Sequence, residues 1–96
     1  MARTSKKRGR AGLRVSGDVV SRRLGDEVIL VNLATDRVYA LNQTAGRFWE
    51  LLASRRGLPS IERTLAREFA IEGAKLSREI ARLVSSLEAK QLVRRA

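Results

Sequence analysis

The hydrophobic and polar positions of this chain follow two periods in succession. Between Val19 and Leu41, apolar residues form short runs and alternations separated by turn-forming residues, a pattern typical of β-strands. From Asn42 onward, apolar residues recur three and four positions apart, as they do on one face of an amphipathic helix. We therefore expect a small sheet that is followed by a layer of helices.

Three strands are predicted in the first half. Residues 19–24 are the first strand, although they are rather polar, and Gly25-Asp26 is a turn signal. Residues 27–33 are rich in β-branched side chains, which suits a central strand with both edges paired. After a turn at 34–36, residues 37–41 form the third strand. Its alternation puts Tyr39 and Leu41 on one face, and the smaller Val38 and Ala40 on the other.

Three helices account for most of the second half. Asn42 is a good N-cap for the first helix, and Ser60 is the predicted cap of the second. A loop through 71–74 leads to the third helix, and Leu92-Val93 then returns the chain to the core. The predicted buried stripes are Ala45, Phe48, Trp49 and Leu52; Ile61, Leu65 and Phe69; and Leu76, Ile80, Leu83, Val84 and Leu87. This order predicts a winged-helix-like α+β domain with a three-stranded antiparallel sheet followed by three helices.

Length and charge divide the chain into two parts. Its 96 residues suffice for one domain with a modest core. Of the formal net charge of +10, residues 1–14 supply six basic side chains and no acidic one. We predict a basic, disordered tail over 1–14 and one folded domain over 15–96. The longest apolar run, 28–31, is too short to span a membrane, and the absence of cysteine agrees with a cytoplasmic location.

The composition argues against catalysis. The chain lacks histidine and cysteine, so the commonest general base and the thiolate nucleophile are both missing. The carboxylates of Asp18, Asp26, Glu27 and Asp36 lie in turns or flanks without a paired partner. There is no phosphate-binding glycine loop. We predict a protein that is not an enzyme and that uses no cofactor or metal.

Short motifs in the right order resemble the PqqD-like family of peptide-recognition domains. They are Tyr39-Ala40-Leu41-Asn42, Phe48-Trp49, Leu76-x-x-Glu79-Ile80, Leu83-Val84-x-x-Leu87 and Leu92-Val93. The resemblance covers roughly residues 13–95. The chain departs from the family pattern at Glu79, where the family usually has Asp, and at Gln91, where it usually has Gly. At 34–36 it lacks the Pro-Glu of the quinone-pathway members, and so looks more like the stand-alone recognition elements of lasso-peptide biosynthesis.

The resemblance implies a partner and a site. The partner would be the leader segment of a ribosomally made precursor peptide, added as a strand beside the third strand and against the third helix. A separate leader protease and an ATP-dependent macrocyclase would be the enzymes served. The implied peptide-binding residues are Arg37, Val38, Tyr39 and Ala40 on the strand edge, and Arg78, Glu79, Arg82, Leu83 and Ser86 on the helix.

Other interpretations stay open at this point. Three helices, a hairpin and a basic tail are also typical of a winged-helix DNA-binding protein. Against DNA, Glu72, Glu79 and Glu88 interrupt the basic face of the third helix, and residues 15–96 hold only 14 basic against 10 acidic side chains. A structural subunit of a larger complex is a third class. Arg78 and Arg82 alternatively form a plain solvated helix face, and Trp49 is explained by core packing alone.

Overall fold

The computed structural model describes residues 12–95, which form two small sheets and a layer of three helices. The strands are β1 (Leu13–Val15), β2 (Val19–Leu24), β3 (Glu27–Asn32), β4 (Arg37–Leu41) and β5 (Val93–Arg95). The helices are α1 (Gln43–Ala53), α2 (Leu58–Phe69) and α3 (Gly73–Ala89). The predicted α+β fold, a three-stranded antiparallel sheet followed by three helices, is confirmed.

The larger sheet has the order β2-β3-β4, with antiparallel pairing throughout. The central position of β3 agrees with its apolar sequence, and the strand ends at Asn32, one residue earlier than predicted. Val28, Leu30 and Asn32 alternate toward the helices and are buried. On β4, Leu41 is buried and Tyr39 half-buried, whereas Val38 and Ala40 are exposed, as the alternation predicted.

Helix boundaries follow local capping chemistry. The Asn42 side chain accepts a hydrogen bond from the amide of Ala45 at 2.9 Å, which confirms the predicted N-cap of α1. The predicted cap at Ser60 is wrong: α2 begins at Leu58 after Gly57, with Pro59 in the first turn, where its missing N–H has no helical partner to lose. The Ser60 hydroxyl instead accepts a hydrogen bond from Arg56.

The core lies between the larger sheet and the helices. Trp49 is 2% exposed, so it is a core residue. The predicted stripes of the three helices are buried, except that Ala45, Phe69 and Leu83 are half-buried at its margin. The buried apolar residues are Val28, Leu30, Leu41, Phe48, Trp49, Leu51, Leu52, Ile61, Leu65, Leu76, Ile80, Val84, Leu87, Leu92 and Val93.

The two ends of the described chain pair with each other. β1 and β5 form an antiparallel ladder in which Leu13 is opposite Arg95 and Val15 is opposite Val93. The predicted boundary at residue 14 is therefore placed too late, because β1 begins at Leu13. The short, arginine-rich strands carry no alternation that would have marked them. The remainder of the predicted tail, residues 1–11, lies outside the described residues.

Two bidentate ion pairs join β2 to α1 and α1 to α2. Arg23 on β2 donates to both carboxylate oxygens of Glu50 on α1, at 2.8 and 2.9 Å. Arg47 on α1 donates to both oxygens of Glu68 on α2, at 3.0 Å each. These hydrogen bonds hold the pKa of each carboxyl group below its usual range. Among residues 12–95, no helix is long and apolar enough to cross a membrane, and no acidic side chains cluster as metal ligands.

A close approach between α1 and β3 gives the first prediction. A Cβ atom added at Gly46 would lie 2.8 Å from Cγ2 of Val28, a side chain held in the core. Gly46→Ala should therefore destabilise the fold by roughly 1–3 kcal/mol through overpacking, although alanine is the better helix former. Urea unfolding measures the change. Gly73→Ala is the matched control, because a Cβ there meets nothing within 4 Å. A Gly46→Ala protein as stable as the wild type would contradict the packing argument.

Candidate functional site

β4 presents one free edge beside the C-terminal part of α3. The sheet order leaves the outer edge of β4 unpaired within the described residues. At the end of α3, Lys90 Nζ lies 5.7 Å from the centroid of the Tyr39 ring, within the range of a cation–π contact. We call the space between the free edge of β4 and this side of α3 the β4–α3 groove.

The groove side of α3 can be identified from helical spacing. Glu79, Leu83, Ser86 and Lys90 are separated by four, three and four residues and so lie along one stripe. Leu83 is half-buried against the core, and the Ser86 hydroxyl accepts a hydrogen bond from Lys90 Nζ at 2.6 Å. The stripe thus begins at Lys90 beside Tyr39 and continues toward the start of α3 with the hydroxyl of Ser86, the apolar Leu83 and the acidic Glu79.

The predicted site residues do not all share this stripe. Helical spacing places both Arg78 and Arg82 nearly opposite the buried Ile80, and Arg82 lies nearer to the stripe than Arg78 does. Both arginines are exposed. On β4, Arg37, Val38 and Ala40 are exposed, with Val38 at 65%, and Tyr39 is half-buried. The structure thus brings Tyr39 and Ser86 together through Lys90 and leaves Arg78 apart.

Asn32 fixes the sheet to the end of α3. Its side-chain amide is 1% exposed and donates to the carbonyl of Gln91 at 3.0 Å and to that of Lys90 at 3.4 Å. Its side-chain oxygen accepts from the amide of Ala34 at 2.9 Å. Sequence reasoning did not single out this residue. The signal was available: Asn32 is the one polar residue among the inward positions Val28, Leu30 and Asn32 of β3.

Gln91 ends α3 in a strained conformation. Its φ is 60°, in the left-handed region that glycine adopts most easily. The family usually has glycine at this position, and the backbone of this chain does adopt the left-handed conformation there, although the residue is glutamine. This turn aims the carbonyls of Lys90 and Gln91 at Asn32. Lys90, which is not among the predicted site residues, directly precedes this turn.

The arrangement is suited to binding an extended peptide. A free strand edge offers N–H and C=O groups in alternation, and a neighbouring helix face offers side-chain contacts to the residues of an added strand. Glu79 on the stripe, with Arg82 and Lys90 beside it, adds charges of both signs. No cluster of acidic metal ligands occurs along this groove in the described part of the chain.

Comparisons with known proteins place this fold. The chain is similar to a solved structure of TbiB1 in complex with the TbiA(beta) leader peptide, with a TM-score of 0.80 and 26% identity over 83% of this chain and 93% of that one. It is also similar in fold to a lasso peptide synthetase B1 complexed with the leader peptide, with a TM-score of 0.78 and 20% identity over 86% of this chain and 98% of that one. No curated protein sequence matches it.

The fold and the groove define a small α+β domain with an open strand edge beside a helix. A family model described as coenzyme PQQ synthesis protein D (PqqD) matches residues 27–93, more than half of the chain. The protein belongs to the PqqD family, and the resemblance carried by its motifs is confirmed.

Removal of the Asn32 side chain should weaken the whole domain. Asn32→Ala leaves the Ala34 amide and the Gln91 carbonyl without their partners in a partly buried place. We expect a loss of about 2–3 kcal/mol in the free energy of unfolding, measured by urea denaturation. Asn42→Ala, which removes one exposed capping bond, is the comparison and should cost about 1 kcal/mol. If Asn32→Ala lowered the free energy of unfolding by less than Asn42→Ala does, the hydrogen bonds of Asn32 would not be what holds the sheet to the end of α3.

Glycine at position 91 should stabilise the protein. Gln91→Gly removes the steric cost of the left-handed conformation, and we expect a gain of roughly 0.5–1 kcal/mol, seen as a higher unfolding midpoint. Ala81→Gly, at an exposed position in the middle of α3, should instead lose about 1 kcal/mol. If both glycine variants were destabilised equally, the end of α3 would not have the geometry described.

Proposed function

We propose that this protein is a non-catalytic adaptor that binds the leader segment of a ribosomally synthesised precursor peptide. The leader adds as a strand along the free edge of β4 and packs its side chains against the α3 stripe. The observation that carries the proposal is this open edge, placed beside α3 in a fold similar to those of two proteins solved with leader peptides.

The two sides of the groove have different roles in binding the peptide. The backbone of β4 sets the register of the peptide, because every second residue of an edge strand directs its N–H and C=O outward. The exposed, small side chains of Val38 and Ala40 leave room on the outer face of the sheet. Specificity comes from the helix side, where Leu83 offers an apolar contact and Arg82 and Lys90 favour acidic leader residues. Arg78 contributes only to long-range attraction.

Binding to an adaptor has a kinetic consequence for the enzymes that modify the peptide. Once the leader is held, the rest of the precursor is confined near the adaptor, and its effective concentration at an associated active site rises to about the millimolar range. We propose that a leader protease and a macrocyclase are the enzymes served. The adaptor itself supplies no catalytic group.

Replacement of an edge amide tests strand addition. Val38→Pro removes a backbone donor from β4 and leaves a peptide carbonyl unpaired, so the Kd for the leader should rise by up to about a hundredfold. This Kd is measured by fluorescence anisotropy with a labelled leader peptide, which is taken from the short open reading frame nearest to the gene. Val38→Ala is the control: it shortens the same exposed side chain but keeps the amide, and its Kd should be close to that of the wild type.

A second arm does not depend on how the variant folds. Leader peptides methylated at alternate backbone nitrogens should bind the wild-type protein poorly in one phase of the alternation and normally in the other. Equal binding of both methylated series, together with unchanged affinity in a folded Val38→Pro protein, would rule out strand addition. Binding of duplex DNA in place of the leader, with a steep loss at higher salt, would favour the nucleic-acid function instead.

A further inference from the structure

A second concave site lies away from the β4–α3 groove. A cavity of about 390 Å³ opens where β1 meets the junction between α1 and α2. Its apolar wall is formed by Leu13, Val15, Leu52 and Leu58. Arg14, Arg55 and Arg56 also line it, and within the described part of the chain no carboxylate does. We call this site the arginine cleft.

The arginines of the cleft make no ion pair within residues 12–95, although Glu68 lies close enough for Arg56 to contribute to the lowering of its pKa. The four ion pairs found in residues 12–95 involve other arginines. Arg56 is half-buried, and its Nη2 donates to the hydroxyls of Ser60 and Thr64, at 2.7 and 2.6 Å, which are uncharged acceptors. Because a guanidinium keeps its charge at any ordinary pH, a half-buried one with neutral partners favours an added anion.

Neighbouring elements strengthen the positive electrostatic potential in the arginine cleft. Arg14 lies directly across the β1–β5 ladder from Arg94, an arrangement of like charges that is unfavourable without an external anion. The first turn of α2 also begins at the cleft, and its N-cap, Gly57, has no side chain to accept from the free amides. The dipole of this helix therefore adds to the field of the arginines.

We propose that the arginine cleft is a second binding site, which takes an acidic segment of a partner protein. A carboxylate of that segment pairs with the arginines, and an adjacent apolar side chain enters the cavity. The guanidinium groups can donate two hydrogen bonds to a carboxylate, and the apolar wall beside them can contact the apolar side chain. No residue of β4 or α3 lines the cleft, so a leader peptide and this partner segment can bind at the same time. The proposal does not depend on leader binding.

Two other occupants fit less well. Single-stranded nucleic acid is bound by aromatic stacking together with basic residues, and none of the described aromatic residues lines the cleft. The chain's own N-terminal segment has the wrong charge, because residues 1–14 contain six basic and no acidic residues. The cleft is therefore matched to a separate, acidic protein chain.

The test is an amide NMR titration of the full chain with the peptide Gly-Asp-Glu-Leu-Asp-Gly. We expect saturable shift changes over residues 13–15 and 52–58, and the same changes in the Val38→Pro protein. The peptide with Gly in place of Leu should bind about tenfold more weakly, because it keeps the charges and loses the apolar group. This peptide comparison uses the wild-type protein, so it does not depend on the folding of any variant.

A charge-matched pair of variants locates the site. Arg14→Gln with Arg55→Asn removes two cleft charges, and asparagine tolerates the left-handed backbone of Arg55, whose φ is 70°. We expect a Kd about tenfold higher, which corresponds to about 1.4 kcal/mol. Arg63→Gln with Arg67→Gln removes the same charge from the exposed side of α2 and should leave the Kd unchanged.

Several results would overturn the proposal. They are the absence of saturable shifts at low salt, shifts confined to β4 and α3, and equal losses of affinity in the two double variants, which would indicate general electrostatic attraction. Tighter binding of a single-stranded oligonucleotide at the same residues would also overturn it, in favour of a nucleic-acid partner.

Discussion

The side chain of Asn32 is the interaction on which the rest of this structure depends. A sheet and a helix that border an open groove are not held together by contacts across the groove itself. The domain solves this by joining them at one end: the buried amide of Asn32 binds the last carbonyls of α3, and its oxygen holds the turn that leads to β4. A buried amide has strict directional requirements, so it fixes distance and orientation together.

Some basic side chains of the protein form ion pairs within the domain, and others are exposed at its surface without a carboxylate partner among the described residues. Arg23 and Arg47 pair with carboxylates and so join β2 to α1 and α1 to α2. Lys90 and Arg82 stand at the groove, and Arg14, Arg55 and Arg56 stand at the cleft between β1 and α2. Basic side chains without a carboxylate partner in residues 12–95 are thus present at the groove and at the cleft, and also on the exposed side of α2, where Arg63 and Arg67 lie.

The fold was largely predictable from sequence because its elements are local. Strands β2 to β4 and the stripes of the three helices follow from periodicity, and Asn42 marks the start of α1. The β1–β5 ladder could not be predicted, because two short segments far apart in the chain pair there without a distinctive pattern. The site was predicted through family resemblance, as a strand edge and a helix. Which residues of α3 face β4 depends on the rotation of the helix, and that is set by Asn32 and Gln91.

The β1–β5 ladder has a consequence for the topology of the chain. Leu13 and Arg95 are opposite each other, so the two ends of the described chain leave the domain side by side, at a ladder in which β4 takes no part. A short linker could close the chain into a ring there, and new ends could be opened in the exposed turn between β2 and β3. The domain is thus built like an insertable module, whose points of attachment to another polypeptide coincide and leave the free edge of β4 unobstructed.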